Sequence, residues 1–160
     1  NIKELKKLSP TDNIFVSFTL SSKAAGGAFD YKCPSVKLRL QAIRELVALG
    51  YKIGLHLDPI IYHDNFLDGY NELIKNLKEI IPSNQIGYIS LGVVRFTPDV
   101  YHHVQSNYPD SLITKQDYIK SFDDKIRYNR PMRNWILNSV KQVLINHHFQ
   151  SEKIYFCMED

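Results

Sequence analysis

Lys52 to Ile61 reads KIGLHLDPII, a short apolar run in which His56 and Asp58 alternate with leucines before Pro59 breaks the pattern. A run of this length, bounded by turn residues, reads as a strand with its polar side chains gathered toward its C-terminal end. Upstream, Ser35 caps a helix that sets Val36, Leu40, Ile43 and Val47 on one face, and Gly50 stops it. Downstream, Asp64 or Asn65 caps a second helix with Phe66, Tyr70, Leu73, Ile74 and Leu77 on its buried stripe, closed by Pro82.

Three other runs share this character: IFVSFTLSS from Ile14, IGYISLGVVRF from Ile86 and KIYFCM from Lys153. The first, Asn13 to Leu20, is mostly apolar and is expected to be buried on both faces of a parallel sheet. IKELKKL, residues 2–8, reads as the last turns of a helix that Ser9-Pro10 ends. SSKAAGGAFDYKCP, residues 21–34, with paired glycines and a proline, reads as a long loop. Thr97-Pro98 opens a short helix to Gln105. Residues 107–130 are polar and poorly periodic, with a hairpin around Asp123-Asp124. Pro131 then opens a last helix, buried through Met132, Ile136, Val140, Val143 and Leu144.

The order of strands and helices predicts an α/β protein with a mainly parallel sheet that curls into a partial (βα) barrel, one domain segment over residues 1–160. Ligands of such folds sit at the C-terminal strand ends, which makes Thr19, Ser21, His56, Asp58, Ser90 and Arg95 the first candidates for function. Each has a structural alternative: a hydroxyl that caps a strand, a histidine satisfied in the core, an aspartate that shapes the turn before Pro59.

A chain of 160 residues, 44% hydrophobic, can bury one core, and its net charge of +3 agrees with a phosphate-bearing partner without requiring one. Cys33 and Cys157 are the two cysteines, with no CxxC spacing, which fits a reducing, cytoplasmic setting rather than a disulfide framework. No apolar run approaches the roughly 20 residues that span a bilayer, so no membrane partner is expected. His102-His103 and His147-His148 are adjacent pairs whose side chains diverge by about 100° on a helix, a poor metal-ligand arrangement. Neither phosphate-loop pattern nor a GxSxG elbow is present, which weakens NTPase and α/β-hydrolase readings. The chain begins with Asn and stops at CMED, just after a strand-like run, and reads as a segment of a longer protein.

GLHLDPII with a following GY…LI helix, then ISLGVVRF, KIRYNRPMR opening a helix, and YFCMED form an ordered set. Together they resemble the C-terminal half of the spore photoproduct lyase family, in the radical S-adenosylmethionine superfamily. The resemblance implies about half of an (α/β)6 partial barrel, with the cluster-binding half, carrying a CxxxCxxC motif and a [4Fe-4S] cluster, expected upstream. It also implies S-adenosylmethionine as cofactor, a 5′-deoxyadenosyl radical, and repair of thymine dimers in ultraviolet-damaged DNA, the expected partner.

Carried residue by residue, the resemblance sets Thr19 and Ser21 where the family commonly has Ser and Asn, as cofactor contacts, although Ser21 and Thr19 depart from those types. His56 and Asp58 would line the pocket, and Ser90, Leu91 and Gly92 would form a turn where the missing bulk at Gly92 admits a flat adenine. Arg95, Arg127, Arg130 and Arg133 become candidates for substrate phosphates, with Tyr128 stacking on an exposed base. No catalytic residue is assigned within the chain. A truncated, non-catalytic nucleotide- or nucleic-acid-binding remnant, a radical enzyme with another substrate, and an unrelated βα-repeat enzyme stand as alternatives.

Overall fold

A computed structural model of the chain describes residues 2–29 and 32–159. Four parallel strands form the main sheet in the order β1 (Phe15–Thr19), β2 (Lys52–Ile60), β3 (Ile86–Val93) and β7 (Ile154–Phe156). Their connections run through α1 (Lys23–Phe29), α2 (Val36–Ala48), α3 (Phe66–Ile80) and α5 (Arg130–Asn146). The sheet is open, with β1 and β7 at its sides among the described residues, so the architecture is the expected partial barrel.

Local chemistry accounts for the helices. Ser35 accepts the Leu38 N–H at the start of α2, and Asn129 accepts the Met132 N–H at 2.9 Å at the start of α5, each satisfying an otherwise unpaired first-turn donor. The five apolar residues expected on the inner stripe of α3 are all buried. On α5 the inner stripe is Arg133, Ile136, Leu137, Val140 and Leu144, one step round from the expected face, so Met132 and Val143 lie at its margin.

Three expectations are corrected. Residues 23–29 of the presumed loop form α1, because Ser22 Oγ caps the Ala25 N–H and three alanines offset the helix cost of Gly26 and Gly27, about 1 kcal/mol each. The N-terminal segment holds only a 3-10 turn at Leu5–Lys7, held where Tyr51 Oη donates to the Leu5 carbonyl at 2.8 Å. β1 is not buried on both faces: as a side strand it leaves Phe15 43% exposed, and Ile14 just before it is 48% exposed.

The run ISLGVVRF is two strands. β3 ends at Val93, and after Val94 the short β4 (Arg95–Phe96) leaves the main sheet to pair with β6 (Ile126–Tyr128). β5 (Tyr118–Lys120) completes an antiparallel sheet in the order β4-β6-β5. The β5–β6 hairpin turns through Asp124, at φ 59°, where the sequence places it. Between β4 and β5 in the chain lies α4 (Pro98–Asn107).

Candidate functional site

Pleating sends alternate residues of the parallel strands to opposite faces. Phe18, Leu55, Ile89 and Ile154 share one register row, and Leu55, Ile89 and Ile154 enter the core beneath the helices. Thr19, His56, Ser90 and Tyr155 form the next row and face the other way. Asp58 and Gly92 continue that second face toward the C-terminal strand ends, while Ser17, Gly54 and Tyr88 lie behind it. One face of the sheet is thus apolar and covered, the other polar.

A cavity of about 410 Å³ opens at the C-terminal end of the polar face. Thr19, Ser21, Asp58, Pro59, Arg95 and Phe96 contribute to its walls. Arg95 Nη2 stands 3.5 Å from Asp58 Oδ2, both side chains 21% exposed, and 3.9 Å from Cys157 Sγ. The Thr19 carbonyl is held at 2.9 Å by Arg39. Ser90 Oγ is fully buried and has no hydrogen-bond partner among the described residues, a polar group with capacity to spare beside the His56 ring.

Five of the sequence-derived candidates sit differently from expectation: Leu91, Gly92, Arg127, Tyr128 and Arg133. Leu91 falls on the apolar face, 0% exposed in the core, and only its backbone takes part in the strand ends, its carbonyl accepting the Cys157 N–H at 2.7 Å. The space beside Gly92 is filled: a Cβ there would lie 2.6 Å from the Asp58 carboxylate. The absent side chain makes room for Asp58, not for a flat ring.

The arginines divide into two kinds. Arg127 and Arg133 are 3% and 6% exposed. Arg133 Nε donates to Glu159 Oε2 at 2.7 Å and its Nη1 to the Tyr128 carbonyl at 2.8 Å. Arg127 reaches Glu159 at 3.8 Å, Asp123 at 3.3 Å and Ser121 Oγ at 3.1 Å. Both guanidiniums therefore tie the hairpin and α5 to the segment after β7. Arg130, the first residue of α5, and Arg95, at the cavity, are the more accessible pair. Tyr128 is 2% exposed, its hydroxyl accepting the Tyr62 N–H at 3.0 Å, and burial pushes its phenol up from the ordinary range. Its ring packs 4.9 Å from that of Tyr118.

Sequence reasoning missed Tyr88, Ser17 and Gly54 on the polar face; the alternation in GYIS, which sets Tyr88 two residues before Ser90, is the signal that identifies the first. It also missed Glu159, whose role depends on residues distant in sequence. Phe122, at the hairpin turn, is 85% exposed. Of the histidine pairs, His147 Nε2 meets Asn71 Oδ1 at 2.7 Å. Among the described residues no three His, Cys, Asp or Glu side chains are grouped to hold a metal ion, so they form no cage for an iron-sulfur cluster. No helix is long and apolar enough to cross a membrane among those residues.

The family profile described as Spore photoproduct lyase matches residues 3–157. The chain belongs to the spore photoproduct lyase family. Spore photoproduct lyase from Geobacillus sp. (strain Y412MC61) is 29% identical over 98 residues, 60% of this chain and 29% of that relative. The enzyme of the same name from Clostridium acetobutylicum is 18% identical over 122 residues, 76% of this chain and 36% of its own length.

Solved structures of spore photoproduct lyase share the fold. A cysteine-to-alanine mutant superposes with a TM-score of 0.73 at 21% identity, over 89% of this chain and 44% of that one. A double mutant with bound AdoMet and dinucleoside spore photoproduct gives 0.67 at 21% identity, over 89% and 43%. The chain therefore spans less than half the length of these spore photoproduct lyase relatives.

Proposed function

We propose that this chain forms the cofactor- and substrate-binding part of a radical S-adenosylmethionine enzyme of the spore photoproduct lyase type, acting on thymine dimers in ultraviolet-damaged DNA. The observation that carries the reading is the polar face of the open sheet, ending in a cavity with hydroxyls, a carboxylate and a guanidinium on its walls. The family match, and neighbours of the same fold described with AdoMet and the dinucleoside lesion, support it.

The donor set suits S-adenosylmethionine. Thr19 and Ser21 offer hydroxyls for a carboxylate, Asp58 accepts from ribose hydroxyls or an ammonium, and Arg95 holds Asp58 in place. His56, Ser90, Leu91 and Gly92 lie on the strands behind those walls. When bound, the cofactor supplies hydrogen-abstracting radical chemistry, with its [4Fe-4S] cluster carried by a preceding half of a longer protein. The residues described here bind, orient and exclude water.

On the substrate side, Arg95 and Arg130 are the proposed phosphate contacts, and Phe122 at the hairpin turn the group that meets an unstacked base. Arg127, Arg133 and Tyr128 act beneath them, holding the hairpin at a fixed angle to α5 through Glu159.

Two titrations test this. Calorimetry with S-adenosylhomocysteine should show saturable binding that Asp58→Asn weakens at least tenfold. Fluorescence anisotropy should show tighter binding of an irradiated thymine-containing oligonucleotide than of the same oligonucleotide unirradiated. Absence of nucleoside binding together with equal affinity for both oligonucleotides would overturn the reading.

A further inference from the structure

The polar face contains a hydrogen-bonded chain one layer below the cavity. Tyr88 Oη lies 2.6 Å from Ser17 Oγ and 3.0 Å from His56 Nε2. Thus a residue of β3 reaches across β2 to the side strand β1. The crossing depends on position 54 having no side chain: a Cβ there would lie 2.6 Å from the Tyr88 ring and 2.8 Å from Ser17 Oγ. The His56 ring stands edge-on to Tyr88 with centroids 5.4 Å apart at 88°. Phe15 and Tyr155 flank the phenol ring at 6.2 and 6.0 Å.

Either direction of the protons satisfies these two distances, and the acidity of the phenol favours one of them. A separation near 3.0 Å is usual for N–H···O, whereas hydroxyl pairs sit at about 2.7–2.8 Å or shorter. A phenol is also a stronger acid than an aliphatic alcohol, and so the better donor of the two hydroxyls. Tyr88 therefore donates to Ser17 and accepts from the Nε2–H of His56. The partner of one ring nitrogen determines the state of the other, and His56 Nδ1 carries no hydrogen bond among the described residues.

We propose that Tyr88 and Ser17 are positioning residues that hold neutral His56 as its Nε2–H tautomer, presenting a bare Nδ1 as acceptor for a ribose hydroxyl of the ligand. The ligand contact rests on the function proposed above; the tautomer rests on geometry alone. Thr19 and Ser90 share the register row of His56, and Asp58 lies two residues further along β2.

Long-range proton–nitrogen correlation spectra of the histidine-labelled chain at alkaline pH test the tautomer. In the unmodified chain, His56 Nε2 should resonate as a protonated ring nitrogen and Nδ1 as a bare one. Tyr88→Phe should give the averaged shifts of mixed tautomers. Ser17→Ala, at an exposed position, frees the phenol to donate to Nε2 and should move the ring toward the Nδ1–H form with the backbone amide spectrum retained. Protonated Nδ1 in the unmodified chain, or a Tyr88→Phe spectrum identical to it, overturns the assignment.

The ligand contact is read separately by adding S-adenosylhomocysteine. The Nδ1 resonance should shift on saturation, and Tyr88→Phe should weaken binding several-fold. Saturable binding that leaves Nδ1 unmoved defeats the contact while the proposed function stands. No binding at all defeats the contact, the oligonucleotide titration then decides the function, and the tautomer is still decided by the ligand-free spectra.

Discussion

The carboxylate of Asp58 occupies the place that a side chain on Gly92 would need, 2.6 Å from the position of its Cβ. The same carboxylate stands 3.5 Å from Arg95, so Gly92 on β3 governs an ion pair between β2 and β4. Gly92→Ala should displace Asp58 and separate it from Arg95, weakening S-adenosylhomocysteine binding at least tenfold while the circular dichroism spectrum stays that of the folded chain. Unchanged affinity by calorimetry would mean that Asp58 does not contact the ligand.

Glu159 is the shared anion of two buried guanidiniums, those of Arg127 and Arg133. Removing one partner of a buried pair costs about 3–5 kcal/mol, because the remaining charge is left without compensation. Glu159→Ala should lower the unfolding free energy measured by urea titration by an amount in that range, and Glu159→Gln, which keeps an acceptor for Arg133, by less. Equal midpoints for the unmodified chain and Glu159→Ala would show that the cluster carries no stability.

Burial, reinforced by the neighbouring Tyr128, pushes the Tyr118 phenol well above its ordinary 10.0, and burial raises Tyr128 as well. A group raised in the folded state contributes its full stability below the ordinary value and loses it as the pH rises beyond. The small antiparallel sheet should therefore open in alkali, with these two phenols ionising together with the loss of near-ultraviolet dichroism. Early ionisation of both, with the dichroism intact, would contradict their burial.

Asp123 behaves in the opposite sense. Burial alone would raise it, but the Lys125 N–H and the Arg127 guanidinium outweigh that and hold it below its ordinary 3.8. Its contribution is complete above the ordinary value and disappears as the pH falls through the depressed one. Amide exchange at Ser121 and Lys125 should accelerate in that acid range, and Asp123→Asn should remove the dependence.

Phe122 is exposed at the hairpin turn, where side chains contribute within about 0.5 kcal/mol of nothing to stability. Base stacking on an aromatic ring is worth about 1–3 kcal/mol. Phe122→Ala should leave the melting temperature in place and reduce affinity for irradiated oligonucleotide by roughly five- to a hundredfold, measured by anisotropy. A variant that binds as well as the original would remove Phe122 from the substrate surface.

β2 and α3 were legible because Ile53, Leu55 and Leu57 keep a period of two and Phe66, Tyr70, Leu73, Ile74 and Leu77 a helical one, and the local period was enough to predict their burial. The exposure of β1 was not, since a run such as FVSFT reads the same whether or not a second neighbour pairs with it. α1 was hidden by its glycines, whose cost Ser22 and the alanines offset. At the site, the sequence grouped Thr19, His56, Asp58 and Ser90 only as polar residues near strand ends; the register sets Thr19, His56 and Ser90 in one row, and alternation sets Leu91 on the other face. The arginines of KIRYNRPMR looked alike in sequence. What distinguishes Arg133 from Arg130 is a carboxylate 26 residues away, which no local pattern contains.

Val94 is the single residue between β3 and β4, 3% exposed and pinned where its N–H donates to the Ile60 carbonyl at 3.1 Å. The next residue, Arg95, belongs to both neighbourhoods at once: its backbone pairs with Arg127 in the outer sheet, while its side chain meets Asp58 of the inner one. A single residue thus stitches the hairpin sheet to the cavity wall.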